Sequence, residues 1–321
     1  MAYFEQKGGF KKEDYLFLLR LRDQLREWLK EKGYIEILLP SLYPETSPDF
    51  NLESFEIEFK SVFNLSQKYK LYLQTSPELL MKRLISQGFD QIFYLGPAFR
   101  QGEYSSLHHP EFTIIEWYKR DANYFDLMDE LEELAKDVFN LTTILRISFK
   151  KLLEKIAGRQ FSNLSSQEIK SWLAQTNIDL TNKDDEEIFE FIIVQYIEPF
   201  ISKKEAVFIY DYPACLSMQA KLKEDNLCVC ERFEFYIRGI EVANGYSEEF
   251  NKKELEKRFK QHLERREKAG KKLYPIPTKF LSELKEDIGR YAGVAFGLER
   301  LALALLNLDS LDQILPFREL E

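Results

Sequence analysis

The stretch that decides the fold runs from Phe99 to Tyr118 and reads FRQGEYSSLHHPEFTIIEWY. Arg100 leaves one predicted strand, a short polar loop follows, and a second strand returns over residues 111–118. Because successive side chains of a strand point to opposite faces, one face of the second strand is predicted to carry four side chains: Phe112, Ile114, Glu116 and Tyr118. An aromatic ring can stack a base, an arginine fork can hold a phosphate and a carboxylate can receive an ammonium group. The hairpin therefore predicts a site for ATP and an amine-bearing substrate.

The alternative interpretation of this stretch is an amphipathic hairpin whose arginine and glutamate form a cross-strand ion pair. The functional interpretation is favoured because Arg-x-Gly-Glu and His-x-Pro-Glu-Phe-Thr occur together in one hairpin. This conjunction resembles motif 2 of the class II aminoacyl-tRNA synthetases, in the lysyl, aspartyl and asparaginyl group. The resemblance implies an α+β catalytic domain with an antiparallel β-sheet flanked by helices.

Composition is that of an ordinary globular protein, with 321 residues, 45% hydrophobic and 31% charged. No apolar run is long enough to span a bilayer and the start is not a signal peptide, so we expect a cytoplasmic protein with no membrane contact. The three cysteines have neither disulfide nor zinc-site spacing, which favours reduced, mostly buried thiols: Cys215, Cys228 and Cys230.

The charge balance bears on nucleic-acid binding. The formal net charge is -9 and the sequence pI is about 5.2. The richest basic region, residues 252–272, interleaves its lysines and arginines with glutamates, as on a solvated helix. Stable tRNA binding is therefore not expected.

The N-terminal region predicts a helix over residues 13–32 that ends before Gly33, followed by a strand from Ile35 that ends at Pro40. The helix is amphipathic, with five apolar residues at helical spacing: Leu18, Leu21, Leu25, Trp28 and Leu29. This unit is similar to motif 1 of the same family, in which it forms much of a dimer interface. The resemblance implies a homodimer.

A second helix is predicted to begin in the segment Thr75-Ser76-Pro77-Glu78. Ser76 could cap it, Pro77 suits its first turn and Glu78 suits its positive end. The family resemblance adds that this loop holds the amino-acid substrate, through Ser76, Pro77 and Glu78.

The middle of the chain predicts a helix from Leu127 to Val138 with an acidic outer face. Residues 145–205 are predicted to be a mainly helical insertion with an acidic loop from Asp184 to Glu187. Since no repeat or linker interrupts the sequence, we predict one catalytic domain over residues 1–321.

The segment from Glu231 to Glu249 reads ERFEFYIRGIEVANGYSEE, which predicts a strand followed by a bend at Gly239. Glu241, Asn244 and Glu248 then offer oxygen ligands that suit magnesium on nucleotide phosphates. A solvated acidic stripe on a helix is the alternative, although Val242 to Gly245 is a poor solvent face. The segment resembles the lysyl-group region in which two glutamates seven apart bind magnesium and substrate.

Arg300 lies in the first turn of a predicted buried helix that begins after Gly297 and reads LERLALALL. A buried arginine needs a partner, which could be an acid such as Glu299. The segment from Gly293 to Arg300 also resembles motif 3, which implies that Arg300 holds the γ-phosphate of ATP.

The resemblance implies a full set of site residues. Arg100, Glu241, Glu248 and Arg300 would be catalytic, with magnesium on Glu241 and Glu248. The nucleotide would be bound by Arg100, Gln101, Gly102, Glu103, His108, His109, Phe112, Glu241, Val242, Gly297 and Arg300. The amino acid would be bound by Ser76, Pro77, Glu78, Glu116, Tyr118, Asn244, Glu248 and Ala295. Three acidic side chains near the substrate imply a cationic one.

Motif 1 begins almost at once, so we expect the N-terminal OB-fold domain that binds the anticodon in tRNA synthetases of this group to be absent. The chain therefore resembles the short lysyl-tRNA synthetase paralogues that modify elongation factor P. The resemblance implies ATP-dependent activation of (R)-β-lysine, or lysine, and transfer to a lysine ε-amine of that factor. Ala295 stands where lysyl-tRNA synthetases usually have glycine, and its methyl group can alter the fit of lysine isomers.

Two alternatives remain open at this level. One is a truncated lysyl-tRNA synthetase-like ligase with another acceptor. The other is a regulatory paralogue without catalysis, which the presence of both phosphate arginines and both magnesium carboxylates disfavours.

Overall fold

The computed structural model describes residues 9–64, 66–174 and 183–318. Along these residues the helices are α1 (Lys12–Glu31), α2 (Glu78–Ser86), α3 (Tyr124–Asp137), α4 (Phe149–Ala157), α5 (Ser166–Leu173), α6 (Asp185–Ile192), α7 (Glu198–Ile201), α8 (Lys252–Lys268), α9 (Thr278–Glu283) and α10 (Leu298–Leu306). The strands are β1 (Ile35–Glu36), β2 (Leu42–Tyr43), β3 (Glu56–Lys60), β4 (Lys68–Leu73), β5 (Gln91–Phe99), β6 (Glu111–Arg120), β7 (Ile144–Ser148), β8 (Ala206–Pro213), β9 (Val229–Ile237), β10 (Ile240–Ser247) and β11 (Tyr291–Gly297).

The chain divides into two compact units, each described by itself. The first comprises Met1–Arg120, Phe250–Gly289 and Ala295–Glu321, and the second comprises Asp121–Glu249 and Arg290–Val294. The organisation of residues 1–321 as one domain stays a prediction.

The first unit contains the predicted hairpin. β5 pairs antiparallel with β6 from Gln91↔Lys119 to Phe99↔Glu111, and β1 pairs parallel with β5 on its other side. A separate three-stranded antiparallel sheet has the order β2-β4-β3. This pairing confirms the predicted hairpin. The prediction was possible because the alternation of apolar and polar residues that specifies a strand is local in the sequence.

Helix α1 is confirmed with the buried face expected for it: Leu18, Leu21, Leu25, Trp28 and Leu29. It packs against α10, whose apolar residues are mostly buried. The strand predicted to run as far as Pro40 is shorter, because only Ile35 and Glu36 pair with β5 as a strand.

The start of α2 differs from the prediction. Pro77 occupies the N-cap position instead of the first turn, and no side chain caps the helix, so the capping role of Ser76 is wrong. Glu78 does lie in the first turn, where its charge is favourable at the positive end of the helix.

The second unit has four strands in the order β10-β9-β8-β7, with antiparallel pairs except for the parallel pair β7 and β8. Helices α4 and α6 and the π-helix Ile193–Ile197 cover this sheet with an apolar core that includes Phe149, Phe189 and Ile197. The insertion predicted around 145–205 is mainly helical where it is described, and residues 175–182 lie outside the described residues.

The acidic loop predicted from Asp184 to Glu187 is wrong. Asp184 is the N-cap of α6, and its side chain accepts from the backbone N–H of Glu187 while Glu187 accepts from the N–H of Asp184. This capping box satisfies the free N–H groups of the first turn, which explains the acidic run.

The cysteines are free thiols, of which Cys230 is buried, Cys215 half-buried and Cys228 exposed. Burial raises the pKa of the Cys215 thiol to about 12, so it stays protonated at neutral pH. None of the helices in the described ranges combines the length and the apolar character that crossing a membrane requires.

Candidate active site

Arg100 lies at the open end of the β5–β6 hairpin. Its backbone N–H donates to Pro110 O at 2.8 Å, so the arginine begins the loop that connects the two strands. The guanidinium carbon lies 5.0 Å from the centre of the Phe112 ring, and Nη1 lies 3.6 Å from the Glu103 carboxylate. The structure thus places next to one another an arginine fork, of the kind that can bind phosphate, and an aromatic ring, of the kind that can stack a base.

The loop that follows Arg100 carries Gln101 to His109. Gln101 and Gly102 are exposed, and the backbone N–H of Gln101 donates to Glu53 O at 2.8 Å. Nδ1 of His108 lies 2.9 Å from Ser105 Oγ, and Nδ1 of His109 lies 2.8 Å from Glu111 O. Both imidazoles are therefore oriented by neighbours in the loop, and their contacts with a nucleotide stay predictions.

The predicted amine-binding residues of β6 share one face, as the alternation requires. Tyr118 Oη donates to Glu116 Oε1 at 2.6 Å, and both side chains are buried. This bond fixes the orientation of the Glu116 carboxylate, a group of the kind that receives an ammonium.

Glu78 carries an ion pair that the sequence did not reveal. The ammonium of Lys82, which is fully buried one turn later on α2, lies 3.0 Å from the Glu78 carboxylate. A buried ammonium requires such a partner. A substrate amine bound at Glu78 would share this carboxylate with Lys82.

A cavity of about 20 Å³ adjoins Glu78. Its lining is formed by Tyr43, residues 45–47, residues 74–76 and residues 78–80. Ser76, the predicted substrate residue, lines this space together with Glu78. The volume suits a group as small as one water molecule.

Arg300 and Glu299 lie in the first turn of α10, after Gly297 at the N-cap position. Both carboxylate oxygens of Glu299 accept from the backbone N–H of Thr113 at 3.0 Å. Glu299 therefore fixes the backbone beside Phe112, a role that the sequence analysis missed because the two residues are far apart in the chain. Ala295, in β11, is half-buried.

In the second unit, Glu241 and Asn244 lie on β10, and Glu248 directly follows its last residue, Ser247. β10 pairs with β9 through a tight turn at Arg238 and Gly239, which have φ values of 49° and 81°. The pairing shifts by one residue between Glu241 and Ala243, which marks a β-bulge. Residues seven apart on a regular strand point to opposite faces, but one bulge restores them to the same face.

The register after the bulge places Asn244 opposite Glu234 and Tyr246 opposite Arg232, so continued alternation puts Glu248 on the face of Glu241 and Asn244. Glu248 is buried and its backbone N–H donates to Tyr291 O at 2.8 Å. The strand and its bulge thus replace the helical acidic stripe that was the alternative interpretation.

Glu234 is a carboxylate on this face that the sequence analysis did not single out, although it precedes Glu241 by seven residues. It accepts from Arg232 Nη2 at 2.6 Å, from Tyr212 Oη at 2.5 Å and from Tyr236 Oη. Burial raises the pKa of Glu234, the nearby charge of Glu241 raises it further, and Arg232 opposes both effects.

Asn244 has one side of its amide already engaged. Arg232 Nε donates to Asn244 Oδ1 at 3.0 Å, and Arg232 Nη1 donates to Leu216 O at 2.7 Å. Because the amide oxygen accepts from the buried arginine, the N–H donors of Asn244 point elsewhere, and Nδ2 lies 4.0 Å from Met218 Sδ.

Comparison with known proteins decides the family. The sequence model of the class II tRNA synthetases (D, K and N) matches residues 15–321. The chain belongs to this family. The α+β class II fold predicted from the Phe99–Tyr118 hairpin is thereby confirmed.

Similar class II proteins include three named elongation factor P–(R)-β-lysine ligase. That of Hamiltonella defensa subsp. Acyrthosiphon pisum (strain 5AT) is 30% identical over 297 residues, which cover 92% of this chain and 91% of that protein. That of Yersinia enterocolitica serotype O:8 / biotype 1B is 31% identical over 299 residues, with the same two shares. That of Yersinia pestis (strain Pestoides F) is 30% identical over 297 residues, again with 92% and 91%.

Proposed function

We propose that this class II protein is an ATP-dependent ligase that activates (R)-β-lysine, or lysine, and transfers it to a lysine ε-amine of elongation factor P. The observation that carries the proposal is the similarity to ligases of that name along 92% of the chain. The acidic, buried pair Glu116 and Tyr118 supports a substrate with an amino group. The enzyme would then act in the cytoplasm, where translation factors act. The proposal also includes that the protein is a homodimer.

Activation joins the substrate carboxylate to the α-phosphate of ATP and releases pyrophosphate, which yields the acyl-adenylate. Such a step needs positioning and charge neutralisation more than a strong base. Arg100 holds the α-phosphate, Arg300 the γ-phosphate, and Phe112 stacks the adenine. Glu116, Tyr118 and Glu78 hold the amino groups of the substrate, and Asn244 donates to its carboxyl group.

A magnesium ion fits the acidic face of β10. Burial is the main cause of the raised pKa of Glu234 and Arg232 opposes it, while the charge of Glu241 adds to the rise; a divalent cation beside Glu241 would offset that charge. Within residues 9–64, 66–174 and 183–318, no cluster of three or more His, Cys, Asp or Glu side chains suits a metal ion. Magnesium is usually held by one or two carboxylates together with substrate phosphates, so Glu241 and Glu248 are sufficient ligands from the protein. The ion would neutralise phosphate charge.

In the second step the acceptor ε-amine attacks the acyl carbon and AMP leaves. The experiment that tests the whole proposal is intact-mass analysis of elongation factor P after incubation with enzyme, ATP, magnesium and each lysine isomer in turn. We expect one added lysyl unit, largest with (R)-β-lysine, and none when Arg100→Gln replaces the wild-type enzyme.

Unchanged elongation factor P together with lysine-dependent ATP–pyrophosphate exchange would contradict the acceptor and favour a ligase with another one. Aminoacylated tRNA in a parallel assay would identify that acceptor. Absence of exchange with every lysine isomer would favour the regulatory paralogue. Ala295→Gly tests how the enzyme distinguishes (R)-β-lysine from lysine. The loss of a single methyl group should change its preference between these two isomers by about 10–200-fold.

A further inference from the structure

The loop of residues 104–109, here the nucleotide loop, is braced by the segment of residues 310–318, here the C-terminal brace. Leu311 N–H donates to Ser106 O at 2.8 Å. Tyr104 Oη donates to Arg318 O at 3.3 Å. The C-terminal brace thus contacts the nucleotide loop through backbone and side-chain groups.

Arg318 makes the strongest of these contacts. Its side chain is buried, with 5% of the residue exposed, and Nη2 donates to Ser105 O at 2.8 Å and to His108 O at 3.0 Å. Nη1 pairs with Asp312 at 2.6 Å, which holds the guanidinium plane in place. The guanidinium carbon lies 5.5 Å from the centre of the Tyr104 ring.

The two carbonyls bound by Arg318 are the two ends of one tight turn. Ser105 N–H donates to His108 O at 3.1 Å, and Ser105 Oγ accepts from Leu107 N–H at 3.2 Å. Ser105 Oγ also lies 2.9 Å from His108 Nδ1. Because one guanidinium nitrogen bonds both ends, Arg318 fixes the turn and, with it, the position of the His108 imidazole.

We propose that Arg318 is a positioning residue for ATP, which holds the nucleotide loop in its binding conformation without contacting nucleotide or substrate itself. A loop that is ordered before binding loses less conformational entropy when the ligand arrives. This inference rests on the proposed function and, within this loop, on the predicted nucleotide residues His108 and His109. It does not depend on the amino acid or on the acceptor.

The test compares Arg318→Ala and Arg318→Lys with the wild-type full chain, using isothermal titration calorimetry of ATP with magnesium and hydrogen exchange of residues 104–109. We expect Arg318→Ala to raise the ATP dissociation constant about tenfold and to speed exchange in the loop. Arg318→Lys should lie between, because lysine keeps the charge but loses the fork. The affinity for the lysine substrate should stay within about twofold.

The matched control is Phe317→Asn, since Phe317 precedes Arg318 and is 90% exposed. Its φ is 59°, a conformation that asparagine tolerates, so this variant should bind ATP as the wild type does. If Arg318→Ala does not fold, Asp312→Asn replaces it and should shift ATP affinity in the same direction by less.

An ATP affinity within twofold of the wild type in a folded Arg318→Ala variant would overturn the inference. Equal weakening of ATP and lysine binding would also overturn it, because it indicates general structural damage. Wild-type protein that binds no ATP would overturn both this inference and the nucleotide assignment. ATP binding without modification of elongation factor P would refute only the proposed acceptor and would leave Arg318 to be judged by the variants.

Discussion

Glu299 and Thr113 are joined by a hydrogen bond in which both carboxylate oxygens accept from one backbone N–H, at 3.0 Å each. Glu299 lies in the first turn of α10 and Thr113 follows Phe112 in β6. The bond therefore ties this turn to the strand that carries Phe112, whose ring is predicted to stack adenine. Burial raises the pKa of the Glu299 carboxyl, while the bonds from Thr113 oppose that rise.

This raised pKa gives a pH prediction. A raised pKa means that the folded state binds the proton more tightly than the unfolded chain. The stability from Glu299 is then fully present below its usual pKa of 4.5 and is lost as the pH rises through the folded value. Glu299→Gln removes this titration but keeps one acceptor. We expect the melting temperature of the variant, relative to that of the wild type, to rise as the pH rises above about 4.5.

Thermal melting followed by circular dichroism measures that difference. Glu256→Gln, an exposed carboxylate on α8, is the control and should show the pH dependence of the wild type. A difference between Glu299→Gln and wild type that is constant with pH would contradict the prediction.

Arg100→Lys tests the phosphate role. Lysine keeps the charge but cannot form two parallel hydrogen bonds to phosphate oxygens. We expect kcat/KM for lysine-dependent ATP–pyrophosphate exchange to fall about 10²–10³-fold, the usual cost of one donor to transition-state charge. Arg120→Lys is the control, since Arg120 is exposed and pairs with Asp90 at 2.9 Å. Equal activity of Arg100→Lys and wild type would exclude the role.

The sequence predicted local features well. The β5–β6 hairpin, the buried face of α1 and the start of α10 follow from residue alternation and helical spacing, which act over a few neighbours. The seven-residue spacing of Glu241 and Glu248 also reflected a shared face, although a helix was one interpretation of it.

The remaining features depend on partners far along the chain. The bulge after Glu241 is a property of the pairing with β9, and no residue in β10 alone indicates it. The bond from Thr113 to Glu299 joins residues 186 positions apart, and the bond from Arg318 to Ser105 joins residues 213 positions apart. A single sequence contains no signal that pairs such positions.

Glu241→Gln and Glu248→Gln test the magnesium assignment. Loss of one carboxylate should raise the magnesium concentration needed for half-maximal pyrophosphate exchange by about 10–100-fold. In the wild type, EDTA should abolish exchange and added magnesium should restore it. Glu224→Gln is the control, because Glu224 is exposed and pairs with Lys221. Unchanged magnesium dependence in both glutamate variants would refute the assignment.

Arg266 in α8 gives the last prediction, which concerns stability. It is fully buried, donates to the backbone oxygens of Asp49 and Leu52 at 2.7 and 2.9 Å, and pairs with Glu53 at 2.7 Å. Arg266→Gln leaves these acceptors without a charged donor, so we expect the free energy of unfolding to fall by about 3 kcal/mol. Urea denaturation followed by tryptophan fluorescence measures it. Lys268→Gln, exposed on the same helix, should change it by less than about 0.5 kcal/mol. Equal stability of the two variants would show that Arg266 does not hold this segment.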